Sequence, residues 1–140
     1  MYQHNISLRV RYAETDQMGY VYHGVYATYF EVARVEALRN IGVSYKDLEK
    51  TGISMPVREL SCQYLRPIAY DDLINIHTKI PAEPTARLLF KYEITDHTGN
   101  LISRAESLLF FWDQKRKKPT QPPKMLSQAL KPYFQNAKPE

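Results

Sequence analysis

A single change in hydrophobic period divides this sequence and limits the folds it can adopt. Over residues 6–12 apolar and polar residues alternate, which is the pattern of a half-buried strand. Over residues 25–41 apolar residues recur at three- and four-residue steps, which predicts an amphipathic helix that ends near Gly42. Ser44 and Asp47 form a capping-box pattern that predicts a short second helix, and after it the period of two returns.

Four strand patterns follow the second helix and are separated by short turns. They cover residues 57–65, 73–80, 87–94 and 101–113. Together with the first strand they predict a five-stranded antiparallel sheet packed on one long helix, which is an α+β fold. One helix covers only one face of such a sheet, so the other face or an exposed edge strand needs a partner. The element count therefore predicts a homo-oligomer.

Length, charge and cysteine content narrow the class of protein. The chain of 140 residues is expected to be one domain, residues 1–140, with a core at about residues 6–113 and a C-terminal tail, residues 119–140, that carries a short helix. A net charge of +4 suits an anionic ligand but is too small to indicate nucleic acid by itself. The lone Cys62 excludes an internal disulfide, and the N-terminus lacks a signal-peptide pattern, which predicts a cytoplasmic protein. No apolar run is long enough to predict an integral membrane segment.

Two closely spaced motifs stand at the start of the long helix. They are Tyr12-x-x-x-Asp16-x-x-Gly19-x-Val21-Tyr22-His23-x-x-Tyr26 and Phe30-Glu31-x-Ala33-Arg34. With the segment YLRPIAYDD at residues 64–72, they resemble the hot-dog-fold acyl-CoA thioesterases of the 4-hydroxybenzoyl-CoA thioesterase type, especially their broad-specificity bacterial branch. The likeness extends over about residues 6–113, with one departure at Val25, where relatives commonly carry asparagine.

The resemblance implies a fold, an assembly and a substrate. The fold is a hot-dog fold, in which a five-stranded antiparallel sheet wraps around the long helix. The assembly is a homodimer with one continuous ten-stranded sheet, often paired again into a homotetramer, with active sites at the subunit interface. The substrate is acyl-CoA, and no separate cofactor is expected because CoA is part of that substrate. The single cysteine and the scattered histidines predict no metal site.

Asp16 and His23 are the residues to which the resemblance assigns the chemistry. Asp16 lies in the loop before the helix and His23 at its beginning, where free N–H groups and the positive end of the helix dipole converge. Thioester hydrolysis needs a carboxylate that attacks the carbonyl or deprotonates a water, and donors for the developing oxyanion. A thiol with a pKa of about 8.5 leaves without a strong general acid. We therefore predict Asp16 as nucleophile or general base, and the backbone N–H of His23 or Gly24 as the oxyanion donor.

Both residues also have a structural explanation. On spacing alone, Asp16 is better explained as an acceptor for backbone N–H groups of its own loop, and only the resemblance reverses that preference. His23 can equally be a helix N-cap or a packed core histidine. Its ring can also orient Asp16 or a water instead of transferring a proton.

Tyr12 and Glu31 are further candidates that rest on the resemblance. Tyr12, at the end of the first strand, is expected to face the site, and a buried tyrosine with a satisfied hydroxyl is the equal alternative. Glu31, two turns into the helix, is expected to reach the substrate pocket, and the alternative is a solvated carboxylate paired with Arg34.

A basic rim is expected to bind the phosphates of CoA. The candidates are Arg87, which opens the fourth strand, and the basic cluster at residues 115–118, in which Lys117 and Lys118 are the predicted substrate contacts. The alternative is a run of charges that only faces solvent.

Three rival functions are less favoured by the sequence. A non-catalytic hot-dog module would bind acyl-CoA as a sensor, but such a module is ordinarily joined to an output domain. A nucleic-acid binder would need basic and aromatic side chains on its sheet, but the strands carry no glycine-aromatic RNA-binding signature, so no nucleic acid is expected. A hot-dog dehydratase would need a different arrangement of histidine and carboxylate.

Overall fold

The computed structural model describes residues 1–135 and contains the predicted long helix among eight strands. The helices are α1 (Tyr26–Asn40), α2 (Tyr45–Lys50) and α3 (Lys124–Leu130). The strands are β1 (Tyr2–Arg9), β2 (Ile53–Ser54), β3 (Val57–Tyr64), β4 (Leu73–Ile80), β5 (Arg87–Thr95), β6 (Leu101–Phe110), β7 (Trp112–Asp113) and β8 (Lys118–Pro119). Residues 136–140 of the predicted C-terminal tail lie outside the described residues.

Five strands form one antiparallel sheet in the order β1-β4-β5-β6-β3. One face of this sheet packs against α1, whose side chains Phe30, Ala33 and Ala37 are fully buried. Phe30 stacks on Tyr92 of β5, with the two ring centroids 4.7 Å apart. The predicted α+β fold with a five-stranded antiparallel sheet and one long helix is therefore confirmed.

The predicted C-terminal end of α1 and the predicted start of α2 are also present. Gly42 follows α1 with a φ of +83°, a left-handed conformation that glycine adopts at little cost. Ser44 caps α2, because its hydroxyl accepts a hydrogen bond from the backbone N–H of Asp47 at 3.1 Å.

The first strand differs from its predicted range of residues 6–12. β1 begins four residues earlier and pairs with β4 along its whole length, from Tyr2 opposite Ile80 to Arg9 opposite Leu73. The hydrophobic pattern did not predict this pairing, because the first half of β1 is mostly polar. Tyr12 does not end the strand but begins a 3-10 turn, Tyr12–Glu14.

The predicted long strand over residues 101–113 is divided in two. The two strands that pair with β6, β3 and β5, both begin opposite its C-terminal end, where Arg87 lies opposite Phe110 and Val57 lies opposite Leu109. Beyond this point the chain pairs with β2 instead, and β2, β7 and β8 form a second, three-stranded sheet that the sequence did not predict. The basic residues 115–118 lie in and after the tight turn between β7 and β8.

Arg34 is buried, although the sequence pattern of α1 predicts that it faces solvent. The helical pattern places this residue off the apolar stripe, yet it is only 8% exposed. Its guanidinium lies beside the hydroxyls of Tyr45 and Tyr92 and forms no ion pair with Glu31 within the described residues. A long aliphatic stem allows an arginine to lie in a helix–sheet interface when hydroxyls receive its charged end.

Among residues 1–135, no helix has both the length and the apolar character needed to cross a bilayer.

Candidate active site

A cavity of about 300 Å³ opens between the loop that precedes α1 and the C-terminal end of β3. Its lining includes Asp16, Tyr20, His23, Tyr26, Tyr64 and Arg66. Asp16 and His23, the two residues predicted to carry the chemistry, therefore lie on one cavity. Three tyrosines, Tyr20, Tyr26 and Tyr64, line the same cavity.

One carboxylate oxygen of Asp16 is engaged by the loop and the other is free. Oδ1 accepts hydrogen bonds from the backbone N–H of Met18 at 2.9 Å and, more weakly, of Tyr20 at 3.4 Å. The loop is closed by Gly19, whose φ of +83° is left-handed. No side-chain or backbone donor within residues 1–135 bonds to Oδ2. The loop thus fixes the orientation of the carboxylate while one oxygen stays available.

A turn of the same type occurs at Asp96, in the connection between β5 and β6. There too Oδ1 accepts from the backbone N–H groups two and four residues later, those of Thr98 and Asn100, each at 2.9 Å. Gly99 has a φ of +87°, as Gly19 has +83°. Asp96 differs at its second oxygen, because Oδ2 accepts a hydrogen bond from the Asn100 side chain at 3.2 Å, and Asp96 does not line the cavity of Asp16.

Two backbone donors at the start of α1 form no hydrogen bond within the described residues, and the first of them belongs to His23, which lines the cavity. Residues His23–Val25 form a 3-10 turn that leads directly into α1. Its first internal hydrogen bonds are donated by the N–H of Val25 to the carbonyl of Tyr22 and by the N–H of Tyr26 to the carbonyl of His23. The N–H groups of His23 and Gly24 therefore take no part in the hydrogen bonds of the turn, as expected at a helix start.

Aromatic rings hold this 3-10 turn in place. The Tyr64 hydroxyl, on β3, donates a hydrogen bond to the carbonyl oxygen of His23 at 3.3 Å. The Tyr22 ring packs on Gly24 so closely that a β-carbon there would come within 2.7 Å of the ring. The His23 ring is exposed and lies between Tyr22 and Tyr64, with centroid distances of 4.4 and 6.3 Å.

Tyr12 and Glu31 do not line the cavity of the single chain. Tyr12 is 77% exposed and packs edge to face on Tyr70, with centroids 5.6 Å apart. Glu31 lies on an exposed part of α1. Their roles in the site stay predictions.

The basic candidates lie far from Asp16 within one chain. The cavity is at the end of β3 where Tyr64 lies opposite Ser103, whereas Arg87 lies opposite Phe110 at the other end of β6. Seven residues of strand separate these positions, or about 23 Å. Lys117 and Lys118 are exposed in the β7–β8 hairpin, beyond that same far end. A single chain therefore does not bring any of the three to the cavity.

Glu14 and Tyr64 are the site residues that the sequence analysis missed. Tyr64 was part of the quoted segment at residues 64–72 but was given no role. Glu14 is almost buried beneath the loop and accepts a hydrogen bond from the Tyr29 hydroxyl at 2.7 Å. The sequence feature that could have indicated Glu14 is an arginine three residues earlier, because Arg11 and Glu14 form an ion pair at 2.6 Å.

A larger cavity, of about 450 Å³, lies against the other side of the sheet. Its charged side chains pair with each other, Lys91 with Glu106 at 3.4 Å and Arg104 with Glu93 at 3.9 Å. It combines no free carboxylate with free backbone donors, so we place the candidate site at Asp16. No three metal-ligating side chains come together within residues 1–135.

Comparison with known proteins agrees with the fold and with the position of these motifs. Residues 10–130 match the family model of the thioesterase-like superfamily. YneP of Bacillus subtilis is 36% identical over 114 residues, which are 81% of this chain and 83% of that protein. The acyl-CoA thioester hydrolase YbgC of Escherichia coli O6:H1 is 33% identical over 119 residues, which are 85% of this chain and 89% of YbgC.

A solved structure supports the same relationship. The DHNA-CoA thioesterase of Staphylococcus aureus superposes with a TM-score of 0.82 and is 35% identical, and the match covers 97% of this chain and 86% of that one. The family match spans most of the chain, including the loop of Asp16, the turn at His23 and four strands of the main sheet, β3 to β6, and it begins directly after β1. The chain belongs to the thioesterase-like superfamily of hot-dog-fold proteins.

Proposed function

We propose that this protein is a thioester hydrolase that cleaves an acyl-CoA to the free acid and CoA. The observation that carries the proposal is that one cavity is lined both by Asp16, whose Oδ2 is free, and by His23, whose N–H and that of the next residue, Gly24, take no part in the hydrogen bonds of the helix start. Relatives of similar length carry this activity in their names, such as YbgC of Escherichia coli.

The proposed reaction needs only these groups and water. The thioester carbonyl oxygen accepts hydrogen bonds from the N–H groups of His23 and Gly24, which stabilise the negative charge that develops on it. Asp16 either attacks the carbonyl carbon, giving an acyl-aspartate that water then hydrolyses, or takes a proton from a water that attacks. In both routes the C–S bond breaks and CoA leaves as a thiolate, which is protonated to the thiol.

The alternative is a module that binds acyl-CoA without cleaving it. The observation in its favour is the turn at Asp16, because Asp96 forms a turn with the same Oδ1 hydrogen bonds and does not line this cavity. In that case the carboxylate of Asp16 would only organise its loop.

A panel of acyl-CoA substrates tests the proposal directly. Short aliphatic, long aliphatic and aromatic acyl-CoA thioesters are incubated with the protein, and release of the free thiol is followed. The panel includes aromatic acyl groups because the rings of Tyr20, Tyr26 and Tyr64 line the cavity and offer flat apolar walls. Saturable binding without thiol release across the panel would favour the binding module.

We further propose that two chains pair through β3. This strand is one edge of the main sheet, and its apolar side chains Val57 and Leu60 are 44% and 45% exposed. An exposed edge of eight residues offers unpaired N–H and C=O groups to a second chain. Two-fold symmetry would make the pairing of two β3 strands antiparallel and extend the sheet across both subunits.

Leu60→Asp is expected to weaken this dimer, because it places a charge on the paired edge. Light scattering at micromolar concentration should give a dimer or tetramer for the wild-type protein and a shift toward the monomer for the variant. Leu73→Asp, at a side chain that is 39% exposed away from β3, is the matched control and should stay above the monomer mass. A wild-type protein with the mass of a monomer would contradict the proposed pairing.

Antiparallel pairing would also bring the basic rim to the cavity. The beginning of β3 in one chain would lie beside the end of β3 in the other. The partner subunit's Arg87 and the partner subunit's hairpin with Lys117 and Lys118 lie at that beginning, so they would approach this chain's Asp16 from across the interface. We propose that they bind the phosphates of CoA.

Added salt is expected to raise KM for acyl-CoA with little effect on kcat, because screening weakens the ground state and the transition state alike. Lys118→Ala should raise KM by roughly two- to fivefold, the value of one exposed ion pair. Lys124→Ala, at an exposed lysine on α3, is the control and should leave KM unchanged. Equal KM values for acyl-pantetheine and acyl-CoA would show that the basic rim does not bind the phosphates of CoA.

A further inference from the structure

Glu14 is a carboxylate beneath the site that no step of the proposed reaction uses. Only 9% of its surface is exposed, and it lies two residues before Asp16. Oε1 accepts hydrogen bonds from the backbone N–H of Arg11 at 2.8 Å and from the Tyr29 hydroxyl at 2.7 Å. Oε2 accepts from Nε and Nη2 of Arg11 at 3.0 and 2.6 Å.

These four hydrogen bonds fill the acceptor capacity of the carboxylate. Glu14 therefore has no lone pair left for a substrate or a water, and it does not line the cavity. Asp16, in contrast, keeps Oδ2 free. The two carboxylates thus differ in what they can do, and Glu14 is not an alternative nucleophile.

The backbone of Glu14 completes the connection to the other side of the cavity. Its carbonyl oxygen accepts a hydrogen bond from the N–H of Tyr22 at 3.0 Å, directly before His23. The next residue, Thr15, forms a bridge with Val21. Glu14 is thus tied to the start of the loop, to α1 through Tyr29, and to the segment that leads to His23.

We propose that Glu14 is a positioning residue that holds the loop of Asp16 against α1 and so sets Asp16 opposite the N–H groups of His23 and Gly24. This inference rests on the proposed thioester hydrolysis, because the role of Glu14 would be to fix the distance between Asp16 and the oxyanion donors. Reacting groups displaced by about 1 Å can lose roughly 10²-fold in rate.

The charge state of Glu14 agrees with this role. Burial alone would raise the pKa of its carboxyl, but the hydrogen bonds from the Arg11 side chain and backbone and from the Tyr29 hydroxyl outweigh burial and lower the pKa overall. Tyr29 stays protonated as the donor, because burial and its hydrogen bond to Glu14 raise the pKa of its hydroxyl. The network therefore stays intact at and above neutral pH until the tyrosine itself titrates.

Glu14→Gln tests the proposal, because glutamine keeps the shape but turns an NH₂ group toward donors of Arg11 or Tyr29. We expect kcat to fall by roughly 10- to 100-fold with KM within about twofold. Tyr29→Phe removes one of the four hydrogen bonds and should lower kcat less. The double variant should fall no further than Glu14→Gln, because both changes break one network. Tyr45→Phe is the control, since it removes a buried tyrosine hydroxyl that bonds to no group of this network, and kcat should not change.

Hydrogen exchange of the peptide at residues 15–22 provides a readout that needs no activity. In Glu14→Gln its amides should exchange at least about tenfold faster, while those of β4–β6 keep their wild-type rates. A wild-type protein that cleaves no acyl-CoA would refute the proposed function and leave exchange to decide the role of Glu14. Wild-type exchange in Glu14→Gln, or a lower melting temperature with unchanged kcat, would overturn the inference.

Discussion

Asp16→Asn is expected to lower kcat by roughly 10²–10⁴-fold and to leave the fold and the oligomer unchanged. Asparagine keeps an oxygen that can accept from the N–H of Met18, so the turn survives. It replaces the free Oδ2 by an NH₂ group, which can neither attack a carbonyl nor take a proton from water. The measurement is kcat for the best acyl-CoA of the panel, with circular dichroism and light scattering on the same samples.

Asp96→Asn is the matched control for this experiment. It makes the same substitution in a turn with the same Oδ1 hydrogen bonds, at a residue that does not line the cavity, and should leave kcat unchanged. His23→Ala should lower kcat less than Asp16→Asn, because the backbone donor at that position survives the substitution. If Asp16→Asn turned over at near the wild-type rate, Asp16 would be a turn residue like Asp96, and Glu31 would be the next carboxylate to test.

Phe30→Ala is expected to lower the free energy of unfolding by about 3–5 kcal/mol. Phe30 has no exposed surface and stacks on Tyr92, so its removal leaves a cavity between α1 and the sheet. This is a large share of the roughly 5–15 kcal/mol that stabilises a typical domain. Urea titration at a fixed protein concentration measures the loss, because a dimer couples unfolding to concentration.

Phe110→Ala is the control for the stability experiment. Phe110 is half-buried and contacts Trp112 edge to face, with centroids 6.1 Å apart, at the far end of β6. Its loss should cost less than about half as much as the loss of Phe30. Equal costs for the two variants would mean that α1 does not form the centre of the core.

Period and motif were enough to predict the main sheet and its long helix, but not the second, three-stranded sheet. The switch from a period of two to a helical period located α1 within one residue at each end, because α1 buries one continuous apolar stripe. The pattern failed at Arg34, because a hydropathy scale treats the whole arginine side chain as charged. Its burial here depends instead on the apolar stem and on two tyrosine hydroxyls beside the guanidinium. It also failed in the first half of β1, where polar residues pair with β4 on the side of the sheet away from α1.

The candidate site was only partly predictable. Asp16, His23 and Gly24 lie close in sequence, so one motif located the cavity. Glu14 was missed because its role depends on Tyr29, one residue of a stripe that looked wholly apolar. The distance of Arg87, Lys117 and Lys118 from Asp16 follows from strand register, which no spacing of residues along the chain reveals.

The order of strands in the main sheet also constrains when the site can form during synthesis. β1 pairs only with β4, and β3 pairs only with β6, so neither has a sheet partner until the second half of the chain has been made. The loop of Asp16 also depends on the segment just before β4, because the N–H groups of Val10 and Val21 bond to the carbonyls of Asp72 and Ile68. β4, β5 and β6, in contrast, are consecutive and can form a meander by themselves. The loop that carries the proposed catalytic residues is therefore made before the segments that hold it in place.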